Sequence, residues 1–228
     1  MVRGDLTDFL HVLLGGPRED DPEPMRSARA AFDGGDRRGD YRQALALWPP
    51  TARIEYRVLS TLVQRRDADI AIRQMPKPVK RLYLAAYQGY LFNRLLDERL
   101  EAVGSLEEGD LAIKHDNGAY FLVEDPDLEQ PRANRLEISP SAPLYGYKTR
   151  LAQGNPGRKE RRLLQEEGLA LEDWRLGRGL RMRGDRRPLR VPLSEVEVHY
   201  DDGVVVSFYL PSGAYASNVL DEIVKDGT

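Results

Sequence analysis

Apolar positions recur at helical spacing through the first hundred residues and then give way to alternation. Residues 5–14 place Leu6, Phe9, Leu10, Leu13 and Leu14 at spacings of 3 and 4, which predicts a short helix stopped by Gly15, Gly16 and Pro17. Residues 15–40 are rich in Gly, Pro and acid, with room for a short helix at 28–32. Asp40 caps a predicted helix over 41–47 that Pro49 and Pro50 end, and two more follow at 52–66 and 67–73. The longest runs over 79–103 and ends at Gly104. Leu82, Ala86, Gly89, Asn93, Leu96 and Leu100 lie on one of its stripes, and Leu84, Tyr87, Leu91 and Leu95 on another. Apolar residues on both sides predict burial from two directions. Gly89 inside a helix costs ~1 kcal/mol, which implies close approach of a neighbour. Asn93 on an apolar stripe calls for hydrogen-bond partners.

Alternation then takes over. Residues 110–114 and 119–123 flank Asp116-Asn117-Gly118, a hairpin signal. Residues 136–138 read as a short extended piece, 142–146 as a loop, Gly154-Asn155-Pro156-Gly157 as a turn and 159–168 as a helix. Residues 196–200 and 204–210 around Asp201-Asp202-Gly203 predict a second hairpin, and 214–225 a terminal helix after Pro211-Ser212-Gly213. Helices first, then mixed elements, then a hairpin and a helix make the expected class α+β.

Composition narrows the chemistry. The 228 residues suit one or two domains, and 41% apolar with 31% charged residues suits a packed core. No run approaches the ~18 apolar residues of a membrane helix, and Met1-Val2-Arg3-Gly4-Asp5-Leu6 lacks an apolar leader, so a cytoplasmic globule is expected. The 0 Cys exclude disulfides, thiolate chemistry and Cys-ligated zinc, and three scattered His (His11, His115, His199) form no metal motif. Of the 34 basic residues 28 are Arg, the cation suited to phosphate and carboxylate. Seven Arg (175, 178, 181, 183, 186, 187, 190) against Asp185 give residues 175–190 a charge of +6, leaving −9 on the rest of a chain whose total is −3. Such a stripe is a footprint for a polyanion or a solvated loop facing the acidic remainder. Glycine-rich nucleotide loops, zinc-protease helices and serine-nucleophile elbows are absent, so motif chemistry names no reaction.

Three segments together resemble the C-terminal part of the TruD family of tRNA pseudouridine synthases. Ala86-Tyr-Gln-Gly-Tyr-Leu-Phe-Asn93 followed by Arg99-Leu100 is similar to the family's A-x-x-S-x-L-F-N…E-R-L helix, with Gly89 where Ser is usual. Arg186-Arg-Pro-Leu-Arg-Val-Pro192 resembles R-R-x-x-x-x-P after the insertion domain. Phe208-Tyr-Leu-Pro-Ser-Gly-Ala-Tyr-Ala-Ser-Asn-Val-Leu220 resembles the closing F-x-L-P-x-G-x-(F/Y)-A-T-x-V-(L/V), with Ser217 where Thr is usual. Glu108-Gly-Asp110 and Ala142-Pro-Leu-Tyr-Gly146 fit between the first two, and the likeness covers essentially the whole chain.

The resemblance implies an isomerase that acts on tRNA without cofactor or metal: a uridine is flipped out, an Asp drives glycosidic cleavage, and the base rejoins through carbon. It also implies a catalytic core interrupted by a mostly helical and mixed insertion domain. The expected divisions are 1–39, core-derived; 40–180, insertion domain; and 181–228, closing strands and helix of the core. The hairpin is then expected to belong to a larger sheet and to leave an apolar edge exposed. The family's K-D and N-x-F-G-x-Q-R-F-G motifs do not occur in these residues, and Asp5, Asp97, Asp110 and Asp221 match no nucleophile motif. The expectation is therefore that the catalytic Asp lies outside the chain, in a separately encoded N-terminal half or a missing segment. Carried over are Tyr215, near the target base or a packing tyrosine; Gly213, allowing backbone approach; Phe92 and Asn93 in the helix motif; and Arg186, Arg187 and Arg190, for phosphate contact or for holding the cleft. The alternative is a non-catalytic RNA-binding remnant or an interaction domain. No membrane is expected as partner.

Overall fold

The computed structural model describes residues 1–36, 40–177 and 179–225. They divide into two compact units, one of residues 1–89 and 168–183 and the other of 90–167 and 184–228. Among the described residues no helix is long and apolar enough to cross a membrane.

The first unit is helical. It comprises α1 (Leu6–Leu14), α2 (Glu23–Asp36), α3 (Arg42–Leu47), α4 (Arg53–Arg65), α5 (Ala68–Arg73) and the first half of α6 (Lys77–Asp97). Asp5 caps α1 by accepting from the Asp8 amide at 2.8 Å, and Asp67 caps α5 from the Ile70 amide at 3.0 Å. Leu10, Leu14, Ala28, Phe32, Trp48, Val58, Leu59 and Ile72 fill one core, each large side chain contributing ~1.5–3 kcal/mol by its burial. Helix α2 is much longer than the predicted 28–32. Phe32, 1% exposed, stacks on Tyr41 at 4.8 Å and anchors it from the side, so packing overrides Gly34 and Gly35. Arg29 ties its side to α1 through the Leu13 and Gly15 carbonyls at 3.1 and 2.9 Å and the Asp21 carboxylate at 3.0 Å.

Helix α6 departs from expectation in two ways. It stops at Asp97, and a 3-10 turn at Leu100–Ala102 follows. It is also buried from one side only. Leu84, Gln88, Leu91 and Leu95 are inside, while Leu82 and Tyr90 are 68% and 53% exposed, Asn93 lies on the surface, and nothing approaches the place of a Cβ on Gly89. The Asn93 amide meets water, so it needs no internal partner.

The second unit holds β1 (Leu111–Lys114), β2 (Tyr120–Leu122), α7 (Pro126–Asn134), β3 (Ile138–Leu144), α8 (Gly154–Glu166), β4 (Asp185–Pro188), β5 (Ser194–Tyr200), β6 (Val204–Tyr209) and α9 (Ala216–Val224). One antiparallel sheet has the order β2-β1-β3-β4, and the other is the hairpin β5-β6. Strand β3 replaces the predicted extended piece and loop. Its β1 partners run from Ile138 to Pro140 and its β4 partners from Ser141 to Leu144, so the strand serves one neighbour with each half. Two prolines are thereby tolerated in an inner strand, and Pro140 still accepts from the Leu189 amide at 2.9 Å. Helix α8 begins at Gly154 rather than after a turn, because the Glu160 carboxylate accepts the Ala152 amide at 2.8 Å and packs the first turn down. Gly109, at φ +91°, sits against the Gln153 backbone where a side chain would collide.

Candidate nucleic-acid interface

The basic stripe is divided between the two units. Arg175, Arg181 and Arg183 belong to the first unit, Arg186, Arg187 and Arg190 to the second, and Arg178 lies outside the described residues. Within the second unit, β4 directs its arginines differently. Arg186 points inward, with its side chain 1% exposed. Its Nη2 donates to Glu160 at 2.7 Å and to the Ser141 carbonyl at 2.6 Å, its Nε to Ser141 Oγ at 2.8 Å, and its Nη1 to the Arg150 carbonyl at 3.0 Å. With its Nε, Nη1 and Nη2 all bonded inside the protein, Arg186 presents no open edge to a phosphate.

Arg187 is half-buried. It donates to the Gly213 carbonyl and lies 5.5 Å over the Phe92 ring, which is itself buried. Arg190 donates to the Ala133 carbonyl at 2.5 Å and packs on Gly104, where a Cβ would collide with the guanidinium. Burial holds its pKa below the ordinary guanidinium value. His115, whose Nε2 is 2.8 Å from Ser139 Oγ, is lowered by burial and then by the Arg190 charge.

Tyr215 stands at the N-terminus of α9 and is 65% exposed. Gly213, at φ +89°, has open space around it. The Arg187 side chain thus links Phe92 to Gly213, and Asn93 follows Phe92 on the exposed face of α6. Behind them, motif residues that sequence reasoning left without a role lock the unit together. Arg99 and Asp110 form a buried pair at 2.6 Å, and Tyr145 donates to the Glu160 carbonyl at 2.7 Å. Burial pushes the Tyr145 hydroxyl far up, keeping it a donor.

The four aspartates that match no nucleophile motif lie in different settings. Asp5 caps α1, Asp110 is bound to Arg99, and Asp97 and Asp221 are exposed. Among the described residues no group of three or more His, Asp or Glu is arranged to hold a metal ion. The sequence reading missed a cleft of about 360 Å³ in the first unit, lined by Arg3, Asp5, Phe9, Tyr83 and Tyr87 among others, because its residues are far apart in the chain.

Comparison with known proteins places this geometry. The family model of tRNA pseudouridine synthase D (TruD) matches residues 1–223. A tRNA pseudouridine synthase D from Geobacter metallireducens is 42% identical over 100% of this chain and 56% of its own length. One from Syntrophotalea carbinolica is 49% identical over 78% of this chain and 45% of its own. The crystal structure of a Methanosarcina mazei protein assigned as a tRNA pseudouridine synthase D superposes with a TM-score of 0.82 at 24% identity, covering 98% of this chain and 55% of that one, which supports the α+β fold. The chain spans about half the length of the curated relatives it matches. With a family match over nearly its full length and 42% identity across it, this chain belongs to the TruD family of tRNA pseudouridine synthases.

Proposed function

We propose that these residues serve the isomerisation of uridine to pseudouridine in tRNA, in the cytoplasm, by forming one wall of the pocket for the flipped nucleotide. The observation that carries this is the exposed Tyr215 at the head of α9, a few residues after a hairpin whose apolar face nothing covers among the described residues. Base stacking on an aromatic ring contributes ~1–3 kcal/mol, enough to offset much of the cost of extruding a nucleotide. Gly213 lets the backbone come close, Phe92 and Arg187 support that turn, Asn93 offers an amide on the exposed side of α6, and Arg186 and Arg190 hold the framework. In this reading 1–39 and 181–228 are parts of the catalytic core and 40–180 is the insertion domain. The reacting Asp comes from residues outside these 228.

The test is pseudouridine mapping in tRNA with this chain and its upstream in-frame coding sequence, supplied as one polypeptide or as two. The expected result is a pseudouridine at a defined tRNA position, lost with Tyr215→Ala. No gain over a strain lacking the gene sinks the reading.

A further inference from the structure

The closing segment has little to hold it. Helix α9 buries none of its residues, and the turn before it closes on itself through the Ala214 amide and the Pro211 carbonyl at 3.1 Å. Gly213 takes the positive φ that the third residue of a type II turn requires. A side chain from β4 reaches this turn. The backbone of Arg187 pairs with Ala142 in β3, so its base is set by the four-stranded sheet. Its guanidinium lies over the Phe92 ring, 5.5 Å from the centroid and inside the ~6 Å of a cation–π contact. Phe92 is only 4% exposed, so the ring is a fixed platform. The edge of the guanidinium donates to the Gly213 carbonyl. A planar fork does both at once, whereas an ammonium has one point of charge for both.

We infer that Arg187 is a positioning residue for the closing segment: held over Phe92, it sets the Gly213 turn and with it the place of Tyr215, and it does not serve as a phosphate ligand. The consequence for RNA rests on the role proposed above for Tyr215, while the clamp itself stands on the contacts alone.

Backbone 15N order parameters test the clamp directly. In the parent chain the amides of 213–216 are expected near the ~0.85 of rigid backbone, and in Arg187→Ala below ~0.6, with β3 and β4 unchanged. Arg187→Lys is expected to recover only part of the order. If Arg187→Ala loosens β3 and β4 as well, Phe92→Leu decides, since it keeps apolar volume and removes the ring: loss of order at 213–216 supports the clamp. Order unchanged at 213–216, in whichever variant keeps the sheet intact, overturns it. A salt series of tRNA titrations separates the roles of the charge. A positioning residue leaves the slope of log K against log salt unchanged while affinity falls several-fold. A phosphate contact lowers that slope by about 1 and refutes the inference. If the parent binds no tRNA, the order parameters decide the clamp by themselves.

Discussion

The two sheets of the second unit are built from different kinds of residue, and their burial runs against what those residues suggest. Strand β3 carries two prolines and two serines, yet six of its seven residues are buried. Strand β5 has clean alternation, yet all seven residues are exposed. In β3, each polar group has a partner inside: Ser141 Oγ donates to the Leu111 carbonyl and accepts from Arg186, whose remaining edge meets Glu160. In the hairpin, Val196, Val198, Tyr200 and Val204 are 53–80% exposed, and among the described residues β5 and β6 pair only with each other. A hairpin alone is at best marginally stable in water. The lesson is that satisfied polar groups hold one sheet together, while the other leaves its apolar surface uncovered among the described residues.

The comparison can be broken most severely at the buried ion pair. Arg186→Ala leaves Glu160 charged and unpaired with its side chain 5% exposed, and a loss of ~3–5 kcal/mol is expected in urea unfolding. A loss under ~1 kcal/mol would mean the pair does not anchor the sheet. Tyr145→Phe removes the bond to the Glu160 carbonyl and keeps the ring, with an expected loss of ~1 kcal/mol in the same measurement. Val198→Thr with Val204→Thr, on the open hairpin, is expected to change stability by no more than ~0.5 kcal/mol while reducing binding of an apolar dye. A large destabilisation there would show that the hairpin is packed after all.

The pH dependence gives a directional check. His115 is held below its ordinary value when folded, so between the folded and unfolded pKa the unfolded chain binds the extra proton. Its contribution is present above about pH 6.5 and is lost as pH falls through the folded value. His115→Gln is expected to flatten the fall in stability below about pH 6.5, read by thermal unfolding. A profile identical to the parent's would remove His115 from the account.

Where sequence patterns are local, the elements came out near their predicted bounds: α1, α3, α4, α5 and both hairpins. Helix α7 carries Pro131 in its interior and no amphipathic stripe, so its start signal, Asp125 before Pro126, is all that announces it. It starts because Asp125 caps it, accepting from the Leu128 amide at 3.2 Å, and Ala133 buries. Strand β3 was hidden by its prolines, and the one-sided burial of α6 by the apolar residues on its open face. Of the candidate site, Tyr215, Gly213, Phe92 and Arg187 could be named from motif resemblance, but the contacts of Arg187 could not, since Phe92 and Gly213 are 95 and 26 residues from it in the chain.

The order of residues by itself determined the helices with periodic apolar faces, the hairpin turns, the absence of thiol chemistry and the family. Only the tertiary structure decided which arginines of one short segment face inward and which reach a turn. The reason is physical. Periodicity and capping are read within a few residues, whereas burial of a charge depends on whether distant carbonyls and carboxylates arrive to meet it.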